Sequence, residues 1–236
     1  MDIVMAWLGA LMRTCVLVCA AVACGSGPAT TALAPSAEPS TVPTPRATAT
    51  PPPAGCDSGF VVRGGRVTVR ISERAGPVPI HEAVIESRQI SGAFALAAPD
   101  TFATCSAVAI DLRGLRSLDE FPGEDVSNRD EVIHKDLLET EKDPFAILQP
   151  HGAAGVPAPL PTRGHWSFAL RGELTLHGHT KDVTWIVQAD RDGTALHATA
   201  KTAFAFDDFG IEVPNQILNL AEQIRLDVEL DAEASP

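Results

Sequence analysis

The sequence predicts an all-β domain, a sandwich or a closed antiparallel barrel, behind an exported and unfolded N-terminal segment. Three observations carry this. Apolar and polar residues alternate over much of the last 180 or so positions, helical periodicity is scarce, and an apolar N-terminal run is followed by a proline-rich stretch.

Of 236 residues, 45% are hydrophobic and 20% charged, a composition that can fold. Thirty acidic residues against 18 basic ones leave a net charge of −12. Nucleic-acid binding needs clustered Lys and Arg, and interfacial membrane binding needs a basic face, so both are excluded. Residues 1–55 carry only Asp2, Arg13, Glu38 and Arg46, so the whole acidic excess belongs to the remainder.

From Ile3 to Ala23 the only charge is Arg13, and Thr14 to Ala23 has the character of a signal-peptide core, giving a signal peptide over 1–23. It ends Ala21-Val22-Ala23-Cys24. Ala-x-Ala suits ordinary cleavage, whereas small residues before a Cys suit a bacterial lipobox, with Cys24 as the lipidation site. The lipobox is favoured because a spacer follows: eight of the 19 prolines lie between Gly25 and Gly55. Such a segment cannot bury enough surface to fold, so 24–55 reads as a lipid-anchored linker and 56–236 as the folded domain. The alternative, an uncleaved membrane span over Ile3–Ala23, has Arg13 against it.

Along the domain, Val67, Val69 and Ile71 alternate with Thr68, Arg70 and Ser72, and Val108, Ile110 and Leu112 with Ala107, Ala109 and Asp111. Ser127 to Asp130 resembles a capping box, with Asp in place of Glu, before Val132, Ile133, Leu137 and Leu138, which predicts a short helix over 128–139. Pro150, Pro157, Pro159 and Pro161 are expected to interrupt a strand. Trp166, Phe168, Leu170, Leu174 and Leu176 then share one parity, followed after a turn by Val183, Trp185 and Val187. Asp192-Gly193 signals a hairpin. Leu196, Ala198, Ala200, Phe204 and Phe206 follow, then a possible turn of helix over 216–222, then Ile224, Leu226, Val228 and Leu230. Each strand has one apolar and one wet face.

Cys15 and Cys19 fall in the signal, which leaves Cys56 and Cys105 in the domain. In an exported protein such a pair points to a disulfide, the alternative being two free thiols. Closing this loop stabilises the fold by about 4 kcal/mol in the chain-entropy treatment.

Catalytic signals are lacking. There is no Gly-x-Ser-x-Gly, no His-Glu-x-x-His and no Gly-rich phosphate loop. Asp190 to Gly193 begins like a calcium loop without its remaining ligands and is better read as a turn. His177 and His179 share a face if extended, with His197 or His165 as a third metal ligand, but solvated turn histidines are the plainer reading. No catalytic residue, metal or cofactor is therefore expected. Arg129-Asp130 reads as an ion pair at the helix start, the alternative being a role at the barrel mouth.

Several segments resemble the YceI-like family. Arg129-Asp130 followed by Glu139-Thr-Glu-Lys-Asp-Pro144 is similar to its Arg-Asp helix and the acid-x-Glu-x-aromatic-Pro segment after it. Gly172-Glu-Leu-Thr-Leu-His-Gly-His-Thr-Lys-Asp-Val183 resembles its central hairpin, and Phe206-Asp-Asp-Phe-Gly-Ile211 a later signature. The resemblance spans about Arg63 to Ala232 and departs before Ala107 and between Gln149 and Thr162. It implies an eight-stranded antiparallel lipocalin-like barrel with one or two short helices. It also implies an apolar tunnel that binds a polyisoprenoid, quinone or similar amphiphile outside the cytoplasm, without catalysis.

Inward parity within that barrel nominates Val108, Ile110, Phe168, Leu170, Leu174, Trp185, Val187, Ala198, Ala200, Phe204, Phe206, Leu226 and Val228 as ligand-binding. The small residues Gly92, Gly172, Ala198 and Ala200 are expected to leave room for the ligand, the alternative being a filled, tapered core. Expected partners are the lipid ligand and, through Cys24 alone, a membrane of the cell envelope. A surface-displayed interaction module with an acidic exterior is the second reading, and an envelope-lipid enzyme the third.

Overall fold

The period-two segments pair as strands. In the computed structural model, which describes residues 56, 58–75, 78–118, 126–213 and 219–235, they are β1 (Phe60–Ala75), β2 (Val78–Ser87), β3 (Ile90–Phe94), β4 (Leu96–Ala98), β5 (Thr101–Phe102), β6 (Ala107–Asp111), β7 (Arg116–Ser117), β8 (Phe145–Ala154), β9 (Arg163–Leu176), β10 (His179–Asp192), β11 (Ala195–Ala205) and β12 (Asn219–Ala234). Among the described residues one α-helix, α1 (Val126–Val132), precedes β8. The expected signal peptide, the Cys24 lipidation site and the linker lie outside the described residues.

Eight antiparallel strands close on themselves in the order β1, β3, β6, β8, β9, β10, β11, β12, with β12 returning to β1. Closure removes the exposed edges that an open sheet would present. β2 prolongs the line of β3 along β1, and β7 pairs with β2. β1 and β12 match Val67 to Val228 and Val69 to Leu226 on the inner face. On the outer face of that seam Arg66 reaches Glu229 at 2.6 Å and Arg70 reaches Asp227 at 3.3 Å. Glu82 of β2 takes both Arg70, at 3.1 Å, and Arg225.

Four local expectations differ from what forms. The helix starts at Val126 and, from Ile133 to Leu137, widens into a π turn closed by Leu138 N–H to Ile133 O. Residues 219–222 belong to β12, where Asn219 and Leu220 pair with Arg74 and Glu73, so cross-strand bonding overrides the local helical pattern; the rest of that expected turn lies outside the described residues. Pro150 does not end β8, because the ladder slips between Pro150 and Gly152 and the missing N–H falls at the bulge. Gly172, opposite Pro150, permits this close approach: a Cβ there would stand 2.8 Å from Gln149 O. Gly92 likewise has its Cβ space filled by the backbone of Ala107 and Val108, so both glycines bring strands together and neither makes room for a ligand.

Asp192 ends β10 and Gly193, at φ 66°, makes the predicted turn into β11. Cys56 and Cys105 are joined by a disulfide, with Cα atoms 5.4 Å apart.

Candidate functional site: an apolar barrel cavity

The inner faces enclose a cavity of about 440 Å³. Val108 and Ile110 of β6, Phe168, Leu170 and Leu174 of β9, Trp185 and Val187 of β10, Ala198, Ala200 and Phe204 of β11, and Leu226 and Val228 of β12 all line it. Phe206 does not. β11 ends at Ala205, and Phe206 begins a 3₁₀ turn over Asp207–Phe209, so strand parity no longer governs its direction; it is buried in the surrounding core. The sequence reading missed Phe60, Phe94, Phe102, Leu148 and Leu160, which also form wall. Most of these sit on short strands or in the proline-rich loop, where no long alternation marks a face.

The two ends of the cavity wall differ in their most exposed residues. Leu112, Leu115, Leu176, Phe204 and Ile211 are buried at one end, where the edge of Phe204 meets Phe209 at 4.7 Å between ring centroids. At the other end Phe94, Leu96, Val156, Leu160 and Trp166 are half-buried, and Ser58 is exposed. The cavity is therefore sealed at the first end and opens at the second. Among the described residues, Ser58 is the one in the wall with a hydroxyl, amide or charged side chain. Nothing in this lining selects for polar substrate chemistry; it suits an apolar chain.

Two polar groups stand close to it. Trp185 is 3% exposed, and its Nε1 has no hydrogen-bond partner among the described residues. Arg191, on the inward parity of β10 at the open end, lies with its guanidinium 5.0 Å from the Phe60 ring centroid. It donates to Gly193 O at 2.9 Å and Pro161 O at 3.2 Å, which fastens the loop after β8 to the turn after β10.

The histidines part company. Leu176 pairs with His179, which leaves His177 and Gly178 as a two-residue hairpin loop at φ 51° and 72°. His179 is exposed, as expected of a solvated turn residue, but His177 is 8% exposed and turned into the fold. Its Nε2 lies 3.1 Å from Glu139 Oε2, and its Nδ1 lies 3.4 Å from Phe209 O. Asp143, 1% exposed, completes the group, the donor atoms of the three lying within 4.8 Å of one another. His165 and His197 are elsewhere, in exposed cross-strand pairs with Asp190 and Asp231 at 2.9 and 2.8 Å. Asp143 was not nominated from the sequence, since that position is aromatic in the pattern the segment resembles. Of the Arg129-Asp130 pair, Arg129 is buried, while Asp130 accepts the Ser117 N–H at 2.9 Å and ties α1 to β7.

Residues 67–234 match the family profile described as the YceI-like domain. No curated protein matches the chain. Among solved structures, the chain is similar to a polyisoprenoid binding domain from Saccharophagus degradans implicated in plant cell wall breakdown, at a TM-score of 0.58 and 15% identity, covering 75% of this chain and 99% of that one. It is also similar to a mutant of the Campylobacter jejuni YCEI protein, at a TM-score of 0.51 and 14% identity, covering 69% and 91%. At such identities these likenesses show the fold alone.

Proposed function

The chain belongs to the YceI-like domain family, and from that premise we propose that it binds a single-chain amphiphilic lipid, a polyisoprenoid or quinone, without transforming it. The observation that carries this reading is the cavity of about 440 Å³ with its almost wholly apolar wall. It is about three times the ~150 Å³ that holds one benzene, so some 15 to 20 carbons fit inside. Each buried CH₂ contributes about 0.8 kcal/mol, so a tail of that length is held without any specific polar contact. In this reading the tail's end lies at the sealed floor and the head group at the open end, beside Ser58 and Arg191.

The ligand's location follows from the N-terminal sequence in this reading: a protein anchored at Cys24 in the cell envelope, which carries or stores the lipid outside the cytoplasm. The polyisoprenoid-binding neighbour supports the ligand class, and the absence of catalytic motifs supports binding over turnover.

The test is mass spectrometry of an organic extract of the purified protein, with uptake of added prenols and quinones of graded length. One isoprenoid or quinone per chain, with affinity rising up to about C20 and flattening beyond as the cavity fills, is the expected result. A protein that yields no lipid and takes up none overturns the proposal.

A further inference from the structure

We propose that Glu139, Asp143 and His177 form a binding site for one divalent transition-metal cation at the sealed end of the barrel. The site is separate from the lipid cavity, and no part of the lipid reading supports it.

Three segments far apart in sequence deliver its donors. Glu139 follows the π turn, Asp143 stands two residues before β8, and His177 occupies the turn from β9 to β10. Their donor atoms converge to within 4.8 Å. A zinc ion holds such ligands at about 2.0 to 2.2 Å, so two ligands on one tetrahedral ion are about 3.4 Å apart. The 3.1 Å between His177 Nε2 and Glu139 Oε2 is close to that edge length.

Both ring nitrogens of His177 face oxygen, Nε2 at 3.1 Å from Glu139 Oε2 and Nδ1 at 3.4 Å from Phe209 O. A cation would take the place of a proton between Nε2 and the carboxylate, with the Nδ1–H left to the backbone carbonyl. An imidazole whose other nitrogen donates to a backbone carbonyl is also how metal-ligating histidines are oriented. Glu139 and His177 are, in addition, the only non-glycine residues at positive φ among the described residues, at 45° and 51°.

The donor set selects the metal class. One imidazole and two carboxylates suit Zn²⁺, with Mn²⁺ and Fe²⁺ behind it, whereas Ca²⁺ and Mg²⁺ require more oxygen ligands. Asp143 and His177 are buried, but the Glu139 side chain is 38% exposed, which gives the ion a path from solvent and leaves a position for water. Bound there, the ion clamps the segment after α1 to the β9–β10 turn and stabilises the folded state by mass action.

The experiment titrates chelator-stripped protein with ZnCl₂ against a chromogenic competitor and follows Tm in parallel. One equivalent binding below micromolar, with a rise in Tm, is the expected result. Glu139→Gln, Asp143→Asn and His177→Gln should each weaken binding at least tenfold. His179→Gln, whose exposed ring lies 6.3 Å from that of His177, should bind as the parent does. Co²⁺ in place of Zn²⁺ should give a visible ligand-field band that His177→Gln abolishes. If His177→Gln fails to fold, Glu139→Gln at its part-exposed position decides. The proposal is overturned if no stoichiometric binding occurs, or if binding persists in Glu139→Gln, which would place the ion on surface histidines such as His151, His165 or His197. It is equally overturned if nitrogen NMR finds the His177 ring doubly protonated and unmoved by Zn²⁺, the proton then filling the place given to the metal.

Discussion

Arg191 lies over the ring of Phe60 while its guanidinium donates to the carbonyls of Gly193 and Pro161, so one side chain fastens the cavity's wall, the β10–β11 turn and the loop after β8. Arg191→Gln loses the ring contact, worth about 0.5 to 1 kcal/mol, and the fork geometry of the two hydrogen bonds. We expect Tm to fall and residues 155–162 to be cut faster in limited proteolysis. Arg191→Lys should recover only part of the loss, because an ammonium cannot reproduce the planar fork.

Filling the cavity separates binding from folding. Ala198 and Ala200 are small wall residues on β11, and replacing both by Leu puts apolar volume where the tail would lie. The double variant should keep its circular dichroism and cooperative unfolding while lipid uptake drops by tenfold or more. Phe168→Asp should also abolish uptake. Normal binding by a folded Phe168→Asp protein would remove β9 from the site.

Trp185 presents an unusual cost. A buried N–H without a partner is unfavourable by about 1 to 3 kcal/mol, and Trp185 Nε1 has none among the described residues. Trp185→Phe removes the donor while keeping an aromatic ring in the wall, at the expense of a small void. Chemical denaturation should show it no less stable than the parent. A loss above about 3 kcal/mol, the size of a large aromatic deletion, would mean the indole is satisfied.

The disulfide ties Cys56, just before β1, to Cys105, just before β6. Cys56→Ala/Cys105→Ala should lower stability by up to about 4 kcal/mol. The loss should be visible as a lower denaturation midpoint with little change in slope, and reductant should reproduce it in the parent protein.

Acid should reveal Asp111. Side-chain hydrogen bonds from Arg113, at 2.5 and 2.8 Å, hold its carboxyl below the ordinary 3.8, outweighing partial burial; the Arg113 backbone N–H and charge add to them. A folded pKa below the unfolded one gives stability that is present above the unfolded value and is lost as pH falls through the folded value. Asp111→Asn keeps a side chain able to cap the turn at Leu112–Gly114 but has no charge. It should be less stable than the parent at neutral pH by about 1 kcal/mol or less, and the difference should shrink as pH falls below 3.8 and through the lowered folded value.

Legibility followed element length. On β9, β10 and β12 the alternation runs long enough to reveal which face is inward, and the residues chosen there do line the cavity. Where the chain leaves the strand at Phe206, the same rule misleads, because parity holds only while the backbone stays extended. Gly92 and Gly172 show a second limit: a missing side chain in the sequence does not say whether ligand or neighbouring backbone occupies the space. Closure of β12 on β1 was implied by the family resemblance, since a period-two pattern serves a sandwich equally well. The grouping of Glu139, Asp143 and His177 was illegible, because it depends on two turns meeting in space.

The seam between β1 and β12 joins partners such as Arg66 and Glu229, 163 positions apart in sequence. Such a long loop must close before either strand gains its neighbour, which makes folding slow relative to helical domains of this size. Until β12 is synthesised, both β1 and β11 carry unpaired backbone edges, and an incomplete chain is prone to aggregate. Cooperative folding thus waits for the last strand, so truncation before Asn219 should leave no partly working barrel.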